Sequence, residues 1–90
     1  MFYVYIIYSK KFDKYYKGFS ENPKQRLLDH NLGKSKYTKL FIYWELIHLE
    51  IYDTKKDALI REKKLKKYSK NQILELSNSK RNQIENLQLG

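Results

Sequence analysis

The N-terminal segment Phe2–Tyr8 is an unbroken run of β-branched and aromatic residues. A strand that is covered on both faces has this composition, whereas a half-exposed strand alternates apolar and polar residues. The polar stretch 10–14 predicts a turn, and Tyr15–Phe19 predicts a second strand. Residues 2–19 therefore predict a hairpin whose first strand is buried.

Three polar signatures predict helix starts after the hairpin. Each pairs a capping side chain with a residue three positions later, and they begin at Asn22, Thr54 and Ser69. Pro23 suits the first helical position and Gly33 suits a helix end, so the first helix is predicted over 23–31. The second helix is predicted from residue 54 to about 68, and the third opens at residue 69.

Between the first two helices, Phe41–Tyr52 predicts one long strand. Strict alternation would place Trp44, Leu46, His48 and Glu50 on the same side of it. The element order is then ββαβαα, which is typical of an α+β fold with a three-stranded antiparallel sheet flanked by helices. We expect a single domain over residues 1–90, with a core at about 2–77. In the extension 78–90, Ile84, Leu87 and Leu89 are expected to dock as a short helix or strap.

Composition limits the cellular setting. The chain contains no cysteine, which excludes disulfides and cysteine-based zinc sites and suits a reducing cytoplasm. The apolar run at residues 1–8 is too short to span a bilayer and lacks the features of a secretion signal. We therefore expect a cytoplasmic protein without a membrane partner.

Charge points to a polyanionic partner. The 90 residues include 19 Lys and Arg against 10 Asp and Glu, a formal net charge of +9. Nucleic acid is the commonest partner of such a surface, although lysine-rich composition also reflects AT-rich genomes and solubility. The loop 34–40 contributes Lys34, Lys36 and Lys39. The segment 61–70 holds six cations against one acid, so a phosphate backbone could follow both.

That acid, Glu62, interrupts an apolar stripe. At helical spacing Ala58, Leu59 and Leu65 share one side of the second helix, and Glu62 lies among them. A carboxylate on a buried side is costly unless it is paired or binds a cation. An ion pair with Lys66, or exposure at the edge of the stripe, would also explain it.

Two further pairs of residues have spacing that suits a phosphate site. Arg26 and His30 share a helix face, and a guanidinium in the first helical turn can hold a phosphate. Tyr5 and Tyr16 fall in paired strands and can point to one face of the sheet. A solvated arginine and tyrosines packed in the core are the ordinary alternatives.

In order and spacing, these residues resemble the GIY-YIG nuclease superfamily. The chain looks most like small stand-alone members related to the N-terminal domain of the excinuclease C subunit. Tyr3-Val4-Tyr5 matches the first motif and Tyr16-Lys17-Gly18 the second, with Tyr3 in place of Gly and Lys17 in place of Ile. Arg26, His30 and the segment around Glu62 fall where the family has its catalytic arginine, a histidine and a metal-binding glutamate.

The resemblance implies a metal-dependent endonuclease that acts on DNA or another nucleic acid, DNA being the expected substrate. It implies that Glu62 binds one Mg²⁺ or Mn²⁺ and that the site lies on one face of the sheet. The implied catalytic residues are Tyr5, Tyr16, Arg26, His30 and Glu62, and the implied substrate-binding residues are Lys34, Lys36, Lys39 and Lys66. A catalytically weak nucleic-acid-binding module and an interaction protein with a tyrosine-rich surface are the alternatives. A partner protein could supply targeting.

Overall fold

The structure is a computed structural model of the chain that describes residues 1–88. Its strands are β1 (Phe2–Ser9), β2 (Lys14–Ser20) and β3 (Glu45–Tyr52). Its helices are α1 (Pro23–Asn31), α2 (Lys55–Leu65), α3 (Lys70–Ser77) and α4 (Ile84–Gln88), with a 3-10 helix at Thr38–Phe41. The predicted α+β class and the order ββαβαα are confirmed, and α4 follows them.

The sheet is antiparallel, with strand order β2-β1-β3. Because β1 is central and both of its faces are covered, its residues are almost all apolar or aromatic. Val4 and Ile6 pack against α2 and α3, on what we call the α2 face. Tyr5 and Ile7 point the other way, on the α1 face, where Leu27 of α1 and Ile84 of α4 pack.

The signals for the three helix starts and for the end of α1 are confirmed, whereas α2 ends at Leu65 and not at about residue 68. Asn22 Oδ1 accepts a hydrogen bond from the Gln25 N–H, and Thr54 Oγ1 accepts one from Asp57. The third start forms a complete capping box between Ser69 and Gln72. After α1, Gly33 adopts a φ of +79°, which favours glycine because it has no Cβ.

The prediction of one strand over Phe41–Tyr52 is wrong at its beginning, because β3 starts at Glu45. The Asn31 side chain accepts from the Trp44 N–H at 2.7 Å and donates to the Trp44 carbonyl at 3.0 Å. The Trp44 indole also donates to the Thr38 carbonyl at 2.8 Å. These bonds use the backbone groups that would otherwise extend the strand, and residues 38–41 turn into the 3-10 helix instead.

The predicted side of Trp44 and Leu46 is also wrong. Ile6 pairs with His48 while Ile7 pairs with Leu46, so the register shifts by one residue. This bulge reverses the faces of the residues before it. Trp44 and Leu46 therefore pack on the α1 face, whereas His48 and Glu50 lie on the α2 face.

The stripe predicted on α2 needs one correction. Ala58 and Leu65 are fully buried, but Leu59 is exposed and Arg61 is buried in its place. The Arg61 guanidinium binds the Glu50 carboxylate through Nε at 2.8 Å and Nη2 at 3.2 Å. A buried acid on the neighbouring strand thus makes an inward arginine favourable where the apolar pattern favoured leucine.

The C-terminal segment closes the outer edge of β3. Asn82 donates to the Ile47 carbonyl at 2.9 Å and accepts from the Leu49 N–H at 3.2 Å. The Gln83 N–H donates to the Leu49 carbonyl at 2.7 Å. Ile84 packs against the core as expected, whereas the side chain of Leu87 and the whole of Leu89 lie outside the described part of the chain. Within residues 1–88, no helix is both long and apolar enough to cross a membrane.

Candidate active site

The Tyr5 side chain lies across the neighbouring strand. Tyr5 pairs directly with Gly18 of β2, so both face the α1 side of the sheet. A Cβ on residue 18 would overlap the Tyr5 hydroxyl and the adjoining ring carbon. The glycine of Tyr16-Lys17-Gly18 is therefore needed to make room for the phenol. Gly18 belongs to a motif of the sequence, but no sequence pattern predicted this steric role.

The Tyr5 hydroxyl is linked to a buried imidazole. It lies 2.8 Å from Nε2 of His30, and Nδ1 of His30 lies 2.7 Å from Oγ1 of Thr38. His30 and Thr38 are both fully buried. Thr38 had no predicted role, although a histidine on a buried helix face needs partners for both nitrogens, and that requirement could have suggested one.

His30 is held in its neutral form. Burial lowers its pKa from 6.5 to about 4, and the positive charge of Arg26 acts in the same direction. At neutral pH one ring nitrogen therefore carries a hydrogen and the other carries a lone pair. The ring can accept a proton from the Tyr5 hydroxyl only when the lone pair is on Nε2, with the Nδ1 hydrogen donated to Thr38.

Several candidate residues change the pKa of the Tyr5 phenol. Burial raises the pKa of its phenol to about 12, while a side-chain hydrogen-bonding interaction with Arg26 and the charge of Arg26 oppose that rise. Tyr16 and Glu62 both act to raise the pKa further. The phenol is consequently protonated at neutral pH, and added positive charge nearby would favour its ionisation.

Tyr16 packs its ring into the same pocket. Its centroid lies 5.2 Å from that of His30, 6.4 Å from that of Trp44 and 6.5 Å from that of Tyr5. The ring is partly exposed, so the wall it forms borders solvent. The two tyrosines of the predicted site therefore lie on one face, as the strand pairing suggested.

Arg26 lies in the first turn of α1, above this pocket. It is partly exposed, and its charge acts on Tyr5, on His30 and on Asp29. No carboxylate among residues 1–88 lies within ion-pair distance of its guanidinium. The guanidinium donors that do not interact with Tyr5 are therefore available to an anion.

Glu62 comes from the other layer of the fold. It is carried by α2, which packs on the α2 face, whereas the other four candidate catalytic residues lie on the α1 face. Arg61 binds Glu50 of β3, and Glu62 follows it by about 100° around the helix. From there its negative charge still acts on the Tyr5 phenol, as that pKa indicates. The candidate residues therefore come from both layers of the fold, and not from one face of the sheet as the sequence predicted.

The Glu62 carboxylate is largely shielded, with 18% of its side chain exposed. Lys66 Nζ lies 3.9 Å from Oε2, so the ion pair considered as an alternative is present. No group of three or more His, Cys, Asp or Glu that could hold a metal occurs within residues 1–88. A lone carboxylate suits Mg²⁺ or Mn²⁺ that keeps most of its water ligands, and does not suit an ion that needs a full protein cage.

The basic residues are distributed differently from the prediction. Lys34, Lys36 and Lys39 are exposed on the loop beside His30 and Thr38, and Lys34 lies 3.3 Å from Asp29. In the segment 61–70, however, Arg61 is buried against Glu50 and Lys70 pairs with Asp13. The solvated cations of that segment are Lys63, Lys64, Lys66 and Lys67.

Comparison with known proteins identifies the class. A family model described as the GIY-YIG catalytic domain matches residues 1–78, and the chain belongs to this family. It is 36% identical over 75 residues to a UPF0213 protein of Staphylococcus saprophyticus, covering 82% of this chain and 90% of that one. It is 37% identical over 87 residues to a UPF0213 protein of Clostridium perfringens, covering 96% and 92%.

A solved structure agrees with this assignment. The chain is similar to the solution NMR structure of the UPF0213 protein BH0048 from Bacillus halodurans, at 28% identity and a TM-score of 0.56. The match covers 97% of this chain and 94% of that one. The resemblance to small stand-alone GIY-YIG proteins is therefore confirmed.

Proposed function

We propose that this protein is a metal-dependent endonuclease that hydrolyses phosphodiester bonds in DNA or another nucleic acid. One observation carries the proposal: a single phenol hydroxyl, that of Tyr5, is bound to a neutral imidazole and lies within the electrostatic influence of Arg26, Tyr16 and Glu62. Membership of a family of catalytic domains supports the same reaction.

Water activation is assigned to Tyr5. As the phenol oxygen takes a proton from the attacking water, its own proton passes along the 2.8 Å contact to Nε2 of His30. The imidazolium that forms donates from Nδ1 to Thr38. In this relay the phenol gives up its own proton as it accepts one from water, so it never has to ionise alone.

Stabilisation of the phosphate is assigned to Arg26. Its guanidinium has no carboxylate partner in the described part of the chain, so it can bind non-bridging oxygens on which negative charge develops during hydrolysis. It also lowers the pKa of the Tyr5 phenol, which favours release of the phenol proton to His30. Tyr16 would form the wall that orients water and phosphate.

Glu62 would hold one Mg²⁺ or Mn²⁺, with water molecules as the other ligands. When bound, such an ion neutralises phosphate charge and stabilises the leaving oxygen. Lys66, at 3.9 Å from this carboxylate, would then turn toward the nucleic-acid backbone. Lys34, Lys36 and Lys39 would bind adjacent phosphates, and a partner protein could supply targeting.

The test is cleavage of single-stranded and duplex DNA and RNA in the presence of Mg²⁺ or Mn²⁺. We expect Glu62→Gln to abolish detectable cleavage, because the amide lacks the charge needed to hold the ion. Glu75→Gln removes a charge from an exposed position on α3 and should leave cleavage intact. Cleavage that survives Glu62→Gln would refute this assignment.

A second candidate function is nucleic-acid binding without useful turnover. The pairing of Glu62 with Lys66 favours it, because that cation competes with a metal for the carboxylate. It predicts salt-sensitive binding that persists in Tyr5→Phe and in Glu62→Gln, without cleavage by the wild type. Absence of binding at low salt would instead favour a protein-interaction role.

A further inference from the structure

Four aromatic rings form a continuous line that starts at the candidate active site. The centroid of Tyr16 lies 6.2 Å from that of Tyr37, Tyr37 lies 5.2 Å from Phe41, and Phe41 lies 5.5 Å from Phe12. We call these four residues the aromatic track. They come from β2, from the 3-10 helix and the residue before it, and from the β1–β2 turn.

Two rings of the aromatic track, those of Tyr37 and Phe12, are open to solvent. Tyr37 is 49% exposed and Phe12 is 41% exposed, so about half of each side chain is available to a ligand. Large aromatic residues that pack only for stability would bury more of their surface. A connected row of half-exposed rings on a small domain indicates a binding surface.

The aromatic track also carries positive charge. Lys14 Nζ lies 5.6 Å from the centre of the Phe41 ring, and Lys11 Nζ lies 5.5 Å from that of Phe12. Lys36 and Lys39 flank Tyr37 in the sequence and are exposed. The one acid of the turn, Asp13, is paired with Lys70 and accepts from Tyr8. The surface is therefore both aromatic and cationic.

We propose that the aromatic track binds the unpaired bases of single-stranded nucleic acid, so that the strand enters the active site from Phe12 toward Tyr16. This deepens the proposed function and rests on it for the reaction, since it names the substrate of the same site. Single strands expose the flat faces of their bases, and those faces stack on aromatic side chains while lysines follow the phosphates.

Duplex nucleic acid does not fit this surface. The faces of its bases are hidden by stacking within the helix, so the rings of Tyr37 and Phe12 would have nothing to stack on. An apolar protein partner would cover the rings but would leave Lys11 and Lys14 desolvated. A polyanion with accessible ring faces satisfies both features of the surface.

The experiment compares binding with the metal removed by a chelator, which separates binding from cleavage. Fluorescence anisotropy is measured for a short single-stranded DNA oligonucleotide, for its duplex and for the RNA of the same sequence. A 2-aminopurine base in the single strand reports stacking by loss of its fluorescence. We expect the wild type to prefer the single strand and to quench the base.

Replacing the two most exposed rings together, with Phe12→Ala and Tyr37→Ala, should weaken single-strand binding at least about tenfold and abolish quenching. Duplex binding, which depends on charge, should stay the same. Tyr37→Phe keeps a ring and should retain single-strand affinity. Leu74→Ala removes an exposed apolar side chain from α3, on the other layer, and should change neither.

Equal weakening of single-strand and duplex binding in the double variant would overturn the proposal, as would a wild type that prefers duplex. Preference for RNA over DNA, with quenching lost in the double variant, would support the track and identify the strand. Single-strand binding with quenching but no cleavage in Mg²⁺ or Mn²⁺ would contradict the proposed nuclease activity and support single-strand binding by the aromatic track. Cleavage of duplex alone would support the nuclease activity and contradict the role of the aromatic track.

Discussion

The two faces of the sheet carry polar clusters of similar composition and opposite character. On the α2 face, the Glu50 carboxylate is bound by Arg61, by His48 at 2.8 Å and by Tyr52 at 2.5 Å. Burial would raise the pKa of Glu50, but these hydrogen bonds together lower it to about 2. Histidine, tyrosine and arginine thus surround an acid at the centre of the cluster.

On the α1 face the same three residue types surround no buried acid among residues 1–88. Tyr5 and His30 bind each other, the Arg26 guanidinium has no carboxylate partner within those residues, and Glu62 acts from the neighbouring layer. The comparison shows that residue type does not distinguish a structural cluster from a reactive one. The difference is whether the charges are already neutralised inside the protein, because only an incomplete set can bind an anion.

The largest effect is expected from breaking the complete cluster. Glu50→Gln leaves the buried Arg61 charge without its counter-ion, and we expect the free energy of unfolding to fall by about 3–5 kcal/mol. Chemical denaturation followed through the fluorescence of Trp44, the single tryptophan, measures this. The matched control Glu75→Gln should be nearly neutral. A loss as small as that of the control would mean that Glu50 is not the structural acid inferred here.

The incomplete cluster should respond in activity instead. Arg26→Ala removes the donor assigned to the phosphate, and the cleavage rate should fall at least about a hundredfold. The free energy of unfolding should change by less than about 1 kcal/mol, because the side chain is partly exposed and pairs with no carboxylate of residues 1–88. Arg81→Ala, at an exposed position near the end of the chain, is the control. A loss of stability in Arg26→Ala as large as that in Glu50→Gln would mean that Arg26, like Glu50, has a structural role.

The two clusters should also titrate separately. His30 has a folded pKa of about 4 against 6.5, so the unfolded chain takes up a proton first as the pH falls from 6.5 to 4. This costs up to about 3 kcal/mol of stability, all of it regained above pH 6.5. Glu50, with a folded pKa of about 2 against 4.5, removes further stability only below pH 4.5.

Unfolding measured from pH 7 to pH 3, for the wild type and for His30→Gln, tests this order. The variant should lose the slope between pH 6.5 and 4 and keep the steeper loss below 4.5. Parallel curves for the two proteins over the upper window would show that His30 does not contribute as its burial requires.

The smallest effect concerns the glycine beneath the Tyr5 ring. Gly18→Ala forces that ring away from His30 and should cost about 1–3 kcal/mol in unfolding, together with most of the cleavage activity. In a Tyr5→Ala background the obstruction is gone, so the second substitution should cost little. A double-mutant cycle measures this coupling. Additive costs would show that residue 18 matters for some other reason.

Local patterns predicted what depends on neighbours in the sequence. The hairpin and the caps at Asn22, Thr54 and Ser69 followed from residues within a few positions, and the structure has them. The start of β3 did not follow, because it depends on Asn31 reaching Trp44 across 13 residues. The face of Trp44 depends on a bulge, which no alternation pattern contains.

The same distinction applies to the site. Strand pairing predicted that Tyr5 and Tyr16 share a face, and helical spacing predicted the same of Arg26 and His30. Their proposed roles came only from the resemblance to the family. The fit of Gly18 beneath the phenol and the partnership of Thr38 with His30 were not predicted, because each needs the register or the loop path. The sequence pattern also placed Leu59, and not Arg61, on the inner side of α2. It could not show that Arg61 is buried, because its partner Glu50 is on another element.

The bonds that Asn82 and Gln83 make to Ile47 and Leu49 have a practical meaning for anyone shortening this protein. A fragment ending at residue 78, where the family match stops, would retain every candidate catalytic side chain. It would also lose the residues that cover the edge of β3, so the backbone N–H and C=O groups of that strand would be free to pair with a second molecule. Such a truncation invites self-association, so a loss of activity in it would say nothing about chemistry.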